Sequence, residues 1–395
     1  MTECICEALP EDNCFGCMAC VTACESDALE CGRNADGFYR PQLHLEKCIR
    51  CGKCASACPV EHSPARHRPI KAFAAQIKNA DELLLSTSGG AFSALSAEVI
   101  ARGGAVCGVV WDSDMHAVHS LSTDESAIAR MHGSKYVQSL VTPDVFRSIR
   151  SVLQSGKTVL FSGTPCQVAG LRSFLKVDYS HLLTVDVPCY GVPSPMFFEQ
   201  HIRAYEKKYK GRIVNFSFRD KHKNGFSHTT VFTIEKDGGR IIKRTIDDYR
   251  LVPYHYAFGK CDCFDTICYR CPYAQIERVA DITLGSFWRI EELNDTFSTR
   301  DGVSMILPNS PKGEKWFEYA SKKMTLSEHS VDEAVARNAG LVSTKPLPST
   351  RDDLYASLRG SGYHHAMKLF YRVPMWRKAY AYAPILHAVK KLFFD

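Results

Sequence analysis

The sequence predicts a small cysteine-rich α+β module, followed by an α/β domain with a mixed sheet covered by helices, and a helical C-terminal tail. Eleven of the 18 cysteines lie before residue 60. From Ile70 onward, apolar runs of strand length alternate with segments of helical periodicity. The charge also changes: residues 1–66 contain 6 Lys and Arg against 10 Asp and Glu, whereas the rest of the chain has a net charge of +10.

The composition excludes several classes of protein. With 395 residues, 45% of them hydrophobic and 23% charged, the chain is typical of a folded protein of two or three domains. No apolar run approaches the ~20 residues that span a bilayer, and the first nine residues do not resemble a signal peptide. We therefore expect a cytoplasmic protein. Its net charge of +6, without a long basic run, argues against nucleic acid as a partner.

We expect domain boundaries near residues 66 and 345. Ser63, Pro64 and Pro69 interrupt regular structure after the first module. That module, residues 1–66, is too small and too poor in Leu, Ile and Val to be held together without metal. Residues 67–345 form the α/β domain and residues 346–395 the tail.

Eight cysteines repeat the spacing C-x2-C-x2-C-x3-C. The first copy is Cys14, Cys17, Cys20 and Cys24, and the second is Cys48, Cys51, Cys54 and Cys58. Three thiolates on one tight loop can hold three corners of an iron–sulfur cube, whereas the fourth cysteine is expected to begin a helix that points to the other cluster. The predicted 4Fe–4S ligand sets are therefore Cys14, Cys17, Cys20 and Cys58, and Cys48, Cys51, Cys54 and Cys24.

Zinc is the weaker alternative for this repeat, because zinc sites usually combine two separated C-x2-C pairs. The segment resembles a bacterial-type two-cluster ferredoxin, which makes the first module ferredoxin-like. It departs from that pattern at Glu25, where a proline usually follows the fourth cysteine. Cys4, Cys6 and Cys31 lie outside the repeat and are expected to be structural or incidental.

Periodicity places the elements of the α/β domain. The predicted helices span 89–100, 143–154, 166–175, 194–207 and 311–323. The predicted strands span 105–111, 158–162, 182–187, 212–218, 229–235, 240–245, 280–284 and 303–307. Asp237-Gly238-Gly239 is typical of a hairpin turn between two of these strands.

Four further cysteines fall where ligands collect in an α/β sheet. Cys166 and Cys189 each follow a predicted strand, and Thr164 and Pro165 fit the N-cap and first turn of the next helix. Cys268 and Cys271 form a C-x2-C pair. Together the four predict a third 4Fe–4S site. Cys261 and Cys263 compete for a place in it, and isolated structural cysteines are the alternative.

Two regions could bind phosphate. The segment Ser86-Thr87-Ser88-Gly89-Gly90 opens a predicted helix, where free N–H groups and hydroxyls can cradle an anion. The segments 133–136 and 219–221 supply Lys135, Arg219 and Lys221, although each lysine is also consistent with a solvated surface charge. The pattern is neither a Walker A loop nor a dinucleotide fingerprint.

Several ordered motifs give the chain a specific resemblance. They are Ser88-Gly89-Gly90-Ala91-Phe92, Gly133-Ser134-Lys135-Tyr136-Val137, Gly163-Thr164-Pro165-Cys166-Gln167, Cys189-Tyr190-Gly191-Val192-Pro193, Phe218-Arg219-Asp220-Lys221, Cys268-Tyr269-Arg270-Cys271 and Ala280-Asp281-Ile282-Thr283-Leu284-Gly285. The set resembles the coenzyme F420 hydrogenase/dehydrogenase beta-subunit family with a fused two-cluster ferredoxin. Two residues depart from the family pattern, Tyr190 in place of His and Ser286 in place of Asp.

The resemblance implies an iron–sulfur flavoprotein oxidoreductase. It would pass electrons between a ferredoxin or another redox protein and, through FAD, coenzyme F420 or another small organic molecule. The alternative is an electron-transfer subunit of a larger complex without a small-molecule substrate. The residues expected to hold FAD are Ser88, Gly89, Gly90, Ser134, Lys135 and Thr164, with Lys221 near an anionic group. His132 and His222 are candidate proton donors, for which a structural role is the alternative.

The tail combines basic residues with an apolar face broken by Pro374 and Pro384. Such a segment can lie on an anionic membrane surface, or its helices can pack on the main domain or on a partner. Because the prolines shorten each helix, we expect at most peripheral, salt-sensitive membrane contact.

Overall fold

The structure, a computed structural model, describes residues 4–293 and 295–373. Over these residues the strands are β1 (Leu29–Arg33), β2 (Tyr39–Leu43), β3 (Ala72–Ile77), β4 (Ala105–Trp111), β5 (Ala117–Ser122), β6 (Val159–Ser162), β7 (Leu182–Asp186), β8 (Arg212–Ser217), β9 (Thr230–Glu235), β10 (Ile241–Ile246), β11 (Ile282–Ser286), β12 (Ser304–Pro308) and β13 (Met324–His329). The helices are α1 (Ile5–Ala8), α2 (Ala19–Ala23), α3 (Lys53–Ser56), α4 (Ala80–Leu85), α5 (Ala91–Ala101), α6 (Glu125–Met131), α7 (Pro143–Gln154), α8 (Pro165–Leu175), α9 (Pro195–Tyr209), α10 (Pro253–Lys260), α11 (Pro311–Ser321), α12 (Val331–Arg337), α13 (Arg351–Gly360) and α14 (Gly362–Phe370).

The N-terminal module has an antiparallel β1–β2 hairpin and short helices α1, α2 and α3. Its core contains Cys20, Cys54 and Cys58 beside a few apolar side chains such as Val21 and Leu29. Cysteine sulfur thus replaces much of the aliphatic core that the sequence lacks, which agrees with the prediction of a ferredoxin-like module.

The main sheet has eight strands in the order β13-β3-β12-β11-β7-β6-β4-β5. Strands β4, β6, β7 and β11 are parallel, whereas β5, β12 and β13 run antiparallel to their neighbours. The central strands β6 and β7 are short, mostly apolar and almost fully buried, because helices cover both faces of the sheet. The predicted α/β domain with a mixed sheet is confirmed.

Helices α5 and α11 pack on one face of this sheet, and α7 and α8 pack on the other. Ala94, Leu95 and Trp316 belong to the first of these cores, and Phe146 and Leu171 belong to the second. Helix α7 shows the underlying pattern clearly, since its buried residues recur at helical spacing and Pro143 occupies its first turn.

A three-stranded antiparallel sheet, β10-β9-β8, packs with α9 and α10 beside the main sheet. The predicted hairpin turn at 237–239 joins β9 to β10. Helices α13 and α14 pack on the same core, where Leu354, Tyr355 and Leu358 are buried. In the described part, the tail is therefore helical and packed on the domain. Residues 374–395, which include the basic Arg377, Lys378, Lys390 and Lys391, lie outside the described residues.

The N-terminal module lies directly against the α/β domain. Helix α2 packs on α7 and α8, and the Tyr39 backbone N–H donates a 2.7 Å hydrogen bond to Gln138 Oε1. No helix among residues 4–293 and 295–373 is long and apolar enough to cross a bilayer.

Candidate functional site

The first predicted ligand set surrounds one cavity. Cys14, Cys17, Cys20 and Cys58 all line it, together with Cys6. Burial raises the pKa of Cys14, and the charge of Cys58 adds to this while Arg40 opposes it. Burial likewise raises the pKa of Cys17 to about 12. Three buried cysteines and the half-buried Cys14 surround one cavity. Because they come from both halves of the repeat, they fit the crossed ligand set predicted for a 4Fe–4S cluster.

The second predicted set is less enclosed. Cys24, Cys48 and Cys54 belong to the core of the module, whereas Cys51 is exposed. Burial opposes ionisation of Cys24, but the Ser26 hydroxyl and the N–H groups of Ala28 and Leu29 outweigh it and lower the pKa of that thiol. Glu25, which stands in place of the expected proline, pairs with Lys53 beside Cys54. This ion pair links the two segments that supply the second set.

The expected position of the fourth cysteine of each repeat was wrong. Cys24 is the C-cap of α2, and Cys58 lies two residues beyond the end of α3. Each therefore follows a helix of four or five residues instead of beginning one. The short helix itself carries the fourth cysteine away from the loop, and Cys58 lines the cavity of the first set, so the crossed assignment stays the prediction for both sites.

The four cysteines of the predicted third site also surround one cavity. Cys166, Cys189, Cys268 and Cys271 all line it. Cys166 lies in the first turn of α8, after β6, and Cys189 follows β7, as the edge of a parallel sheet requires. Burial raises the pKa of Cys189 to about 12, and the neighbouring Cys271 adds to this. Cys261 and Cys263 do not line this cavity.

Two buried ion pairs hold the loop that carries Cys268 and Cys271. Before the pair, Asp265 accepts two 2.8 Å hydrogen bonds from Arg40 of the N-terminal module. After it, Arg278 donates to Asp186 at 3.0 Å, at the end of β7 and close to Cys189. Since both pairs are almost fully buried, they fix the loop relative to both the sheet and the first module.

The first and third cavities are adjacent. Phe15 lines both of them, and its ring contacts Tyr273, with ring centroids 5.4 Å apart. Gly170 lies one helical turn after Cys166, and a side chain there would meet Cys17 Sγ at 2.8 Å. The absence of a side chain at Gly170 therefore lets Cys17 of the first set approach the helix that carries Cys166 of the third.

The residues predicted to hold FAD do not form one group. Thr164 caps α8 and lines the third cavity, where its Oγ1 lies 3.1 Å from Cys166 Sγ. Ser88, Gly89, Gly90, Ser134 and Lys135 lie instead around the start of α5: the Ser134 N–H donates to Thr87 Oγ1 at 2.9 Å. Neither cavity described above is lined by Ser88, Gly89 or Gly90.

Contacts within the chain already use many of these polar groups. Ser88 Oγ donates to the Val303 carbonyl, and Lys135 Nζ donates to the carbonyls of Arg130 and His132. Lys221 Nζ donates to the carbonyls of Leu83, Ser88 and Asp301, each at 2.6 Å. Because an ammonium has three N–H groups, Lys221 has none left for a phosphate in this arrangement.

A cation–aromatic group lies next to this segment and includes residues that the sequence analysis did not assign. The Arg219 guanidinium carbon is 4.3 Å from the Phe226 ring and 4.9 Å from the Trp288 ring. His228 stacks on Trp288 with an interplanar angle of 8°. Within residues 4–293 and 295–373, Arg219 Nη2 is buried and has no hydrogen-bond partner. We call these four residues the Arg219 platform.

The platform adjoins the 86–90 segment. A side chain built at Gly302 would touch both Phe226 of the platform and Ser88.

The remaining predicted residues lie at the edges of these sites. Tyr190, in place of the expected His, lines the third cavity, and Lys345 lies 4.4 Å from the centre of its ring. Ser286 ends β11, two residues before Trp288 of the platform. His132 is hydrogen bonded to Ser93, and burial lowers its pKa to about 4. His222 is exposed and bonded to Asp220. In the part of the chain that the structure describes, no contact identifies either histidine as a proton donor.

Two family models match parts of this chain. Residues 13–62, which contain all eight repeated cysteines, match the model of a 4Fe-4S dicluster domain. Residues 156–334 match the C-terminal domain of the coenzyme F420 hydrogenase/dehydrogenase beta subunit. A chain of the F420-reducing [NiFe] hydrogenase complex from Methanosarcina barkeri is similar at 15% identity, with a TM-score of 0.43 over 77% of this chain and 91% of that one. No curated protein matches.

Proposed function

Since this chain combines a 4Fe–4S dicluster domain with the C-terminal domain of the coenzyme F420 hydrogenase/dehydrogenase beta-subunit family, we propose that it is an iron–sulfur flavoprotein oxidoreductase. It passes electrons between a redox partner protein, such as a ferredoxin, and a small organic molecule, coenzyme F420 or another acceptor or donor. The family is one of oxidoreductase subunits, and the dicluster domain supplies the entry or exit for single electrons.

One observation carries this proposal: the first and third thiol sites share Phe15 as a wall. A third 4Fe–4S cluster held by Cys166, Cys189, Cys268 and Cys271 would lie beside the first cluster of the dicluster domain. Electrons would then have a continuous route from the N-terminal module into the α/β domain. Arg40 and Asp265, which pair between the two cavities, keep that route rigid.

The Arg219 platform is the place where the residues fit a planar, electron-rich ring. Phe226 and Trp288 offer apolar faces, and the unpartnered Nη2 of Arg219 offers a hydrogen-bond donor to a ring carbonyl or a negative charge. FAD, when bound, would convert between one-electron and hydride chemistry. The contribution of the chain is to orient the ring through Trp288 and to place the positive charge of Arg219 near it.

The experiment measures cofactors and electron flow in anaerobically purified protein. We expect extractable FAD and acid-labile sulfide, and flavin and clusters that are both reduced by reduced ferredoxin and reoxidised by coenzyme F420 or another small acceptor. Arg219→Met should lower the flavin content while the iron content is unchanged. Arg240→Met, which removes an exposed arginine of the β9–β10 hairpin, is the matched control and should retain flavin.

The outcomes separate this function from its alternative. Flavin-containing protein that exchanges electrons with a partner protein but with no small molecule would indicate an electron-transfer subunit of a larger complex. Protein that contains clusters but binds no flavin, even when reconstituted with FAD, would contradict the proposal. Flavin loss in both arginine variants would show that the Arg219 platform is not the binding site.

A further inference from the structure

Five thiols, and not four, face the first cavity. Cys6, in α1, lines it together with Cys14, Cys17, Cys20 and Cys58. A 4Fe–4S cube needs four protein ligands, and the region that matches a dicluster domain begins at residue 13. Cys6 is thus an additional sulfur at a site whose four ligands come from the repeat.

The first cavity brings Cys6 together with every segment that supplies the first ligand set. Cys14 and Cys17 line the cavity from the loop before α2, Cys20 lines it from α2, and Cys58 lines it from the segment after α3. Cys6 lines the same cavity from α1. A fifth sulfur therefore borders the space that the four predicted ligands enclose.

Cys4, only two residues away, contacts the other site. Its sulfur lies 3.8 Å from Cys54 Sγ, and the Ile5 N–H donates to the same sulfur at 3.5 Å. Because α1 is a single helical turn, Cys4 and Cys6 leave it in different directions. Of these two cysteines, only Cys6 is placed to act at the first cavity.

We propose that Cys6 is a reserve ligand of the first 4Fe–4S cluster, able to take over the iron corner that Cys14 holds. This inference rests on the cluster assigned to this cavity under the proposed function. In the exchange, the bond between iron and Cys14 Sγ would break and Cys14 would leave as a thiolate that takes up a proton, while Cys6 would lose its thiol proton and its thiolate would bind the same iron. No electron is transferred, and the iron keeps four sulfur neighbours. The reserve thiol would protect the cluster against loss of that iron.

The first test compares ligand variants by electron paramagnetic resonance (EPR) and by iron and sulfide content. Cys14→Ser should keep a 4Fe–4S cluster at the first site, because Cys6 replaces the lost sulfur. The double variant Cys6→Ala/Cys14→Ser should show a 3Fe–4S signal or lose the cluster. Cys31→Ala/Cys14→Ser is the matched control, since Cys31 is off the repeat but does not line the cavity, and it should behave like Cys14→Ser.

A 3Fe–4S signal or an empty first site in Cys14→Ser itself would overturn the inference, as would a retained 4Fe–4S cluster in both double variants. Wild-type protein without ferredoxin-type clusters would instead refute the proposed function.

A second measurement needs no variant of the four predicted ligands. During ferricyanide oxidation, the 3Fe–4S signal should appear faster in Cys6→Ala than in wild type or Cys31→Ala. Equal rates in all three proteins would also overturn the inference.

Discussion

Gly89 and Gly90 illustrate how one residue pattern can have two causes. A side chain at Gly89 would lie 2.0 Å from the Ala75 carbonyl oxygen, and Gly90 has a φ of +84° and would meet Ile77. Close packing against β3 therefore explains both glycines without a bound phosphate. For this reason Gly90→Val is a poor test of flavin binding, because it would disturb the fold directly.

Lys221 gives a sharper test at the same segment. Lys221→Met should leave three carbonyls without their donor, and we expect the free energy of unfolding to fall by about 3 kcal/mol or more. Lys223→Met, which removes an exposed lysine paired with Asp247, should change it by less than about 1 kcal/mol. Denaturant unfolding under argon measures both. Unchanged stability with loss of flavin would instead assign Lys221 to the cofactor.

His119 makes the stability dependent on pH. Its ring is buried, stacks on Phe161 and bonds to the Ser162 carbonyl, and burial lowers its pKa from 6.5 to about 4. The unfolded chain therefore binds a proton first as the pH falls, so this contribution is complete above pH 6.5 and is lost toward pH 4.

Relative to His119→Gln, the wild type should lose stability more steeply as the pH falls below 6.5, by up to about 1.4 kcal/mol per pH unit. Unfolding curves of both proteins, measured over the upper half of the interval between pH 6.5 and pH 4, test this. Acid effects on the clusters are common to both proteins and cancel in the difference. Parallel pH profiles would show that His119 is not held neutral by the fold.

At the scale of elements, the contact between the two modules depends on pairs that are distant in sequence. Arg40 and Asp265 are 225 residues apart, yet their side chains are only 5% and 3% exposed. Arg33 and Glu199 join the same two modules closer to the surface, with side chains 33% and 16% exposed. We therefore expect the buried pair, Arg40 with Asp265, to contribute more to the free energy of unfolding than the more exposed pair, Arg33 with Glu199.

Arg40→Met should lower the free energy of unfolding by about 3–5 kcal/mol, because it leaves the Asp265 carboxylate buried without its partner. Arg33→Met, the matched control, should cost no more than about 1 kcal/mol. Guanidinium unfolding of both variants, followed anaerobically, gives the comparison. Similar small losses in the two variants would mean that Arg40 and Asp265 do not hold the modules together.

For the molecule as a whole, the sequence predicted the features that are determined by residues close together in the chain. The bounds of strands such as β6 and of helices such as α7 were predicted closely, because these segments have a clear periodicity. The cysteine repeat has a fixed spacing, and the region that contains it matches a 4Fe-4S dicluster domain. The Arg219 platform was only partly foreseen, because Arg219, Phe226 and Trp288 come together through the fold. Cys6 was expected to be structural or incidental, because its place at the first cavity depends on the position of α1 and not on the spacing of the repeat.

The third cluster is the central claim of this account, since it connects the N-terminal module to the α/β domain. Iron and acid-labile sulfide in anaerobic protein test it most directly. With three 4Fe–4S clusters, we expect about 12 irons per chain in the wild type and about 8 in Cys268→Ser. Cys263→Ala, a buried cysteine outside the third cavity, should retain about 12. About 8 irons in all three proteins would contradict the account.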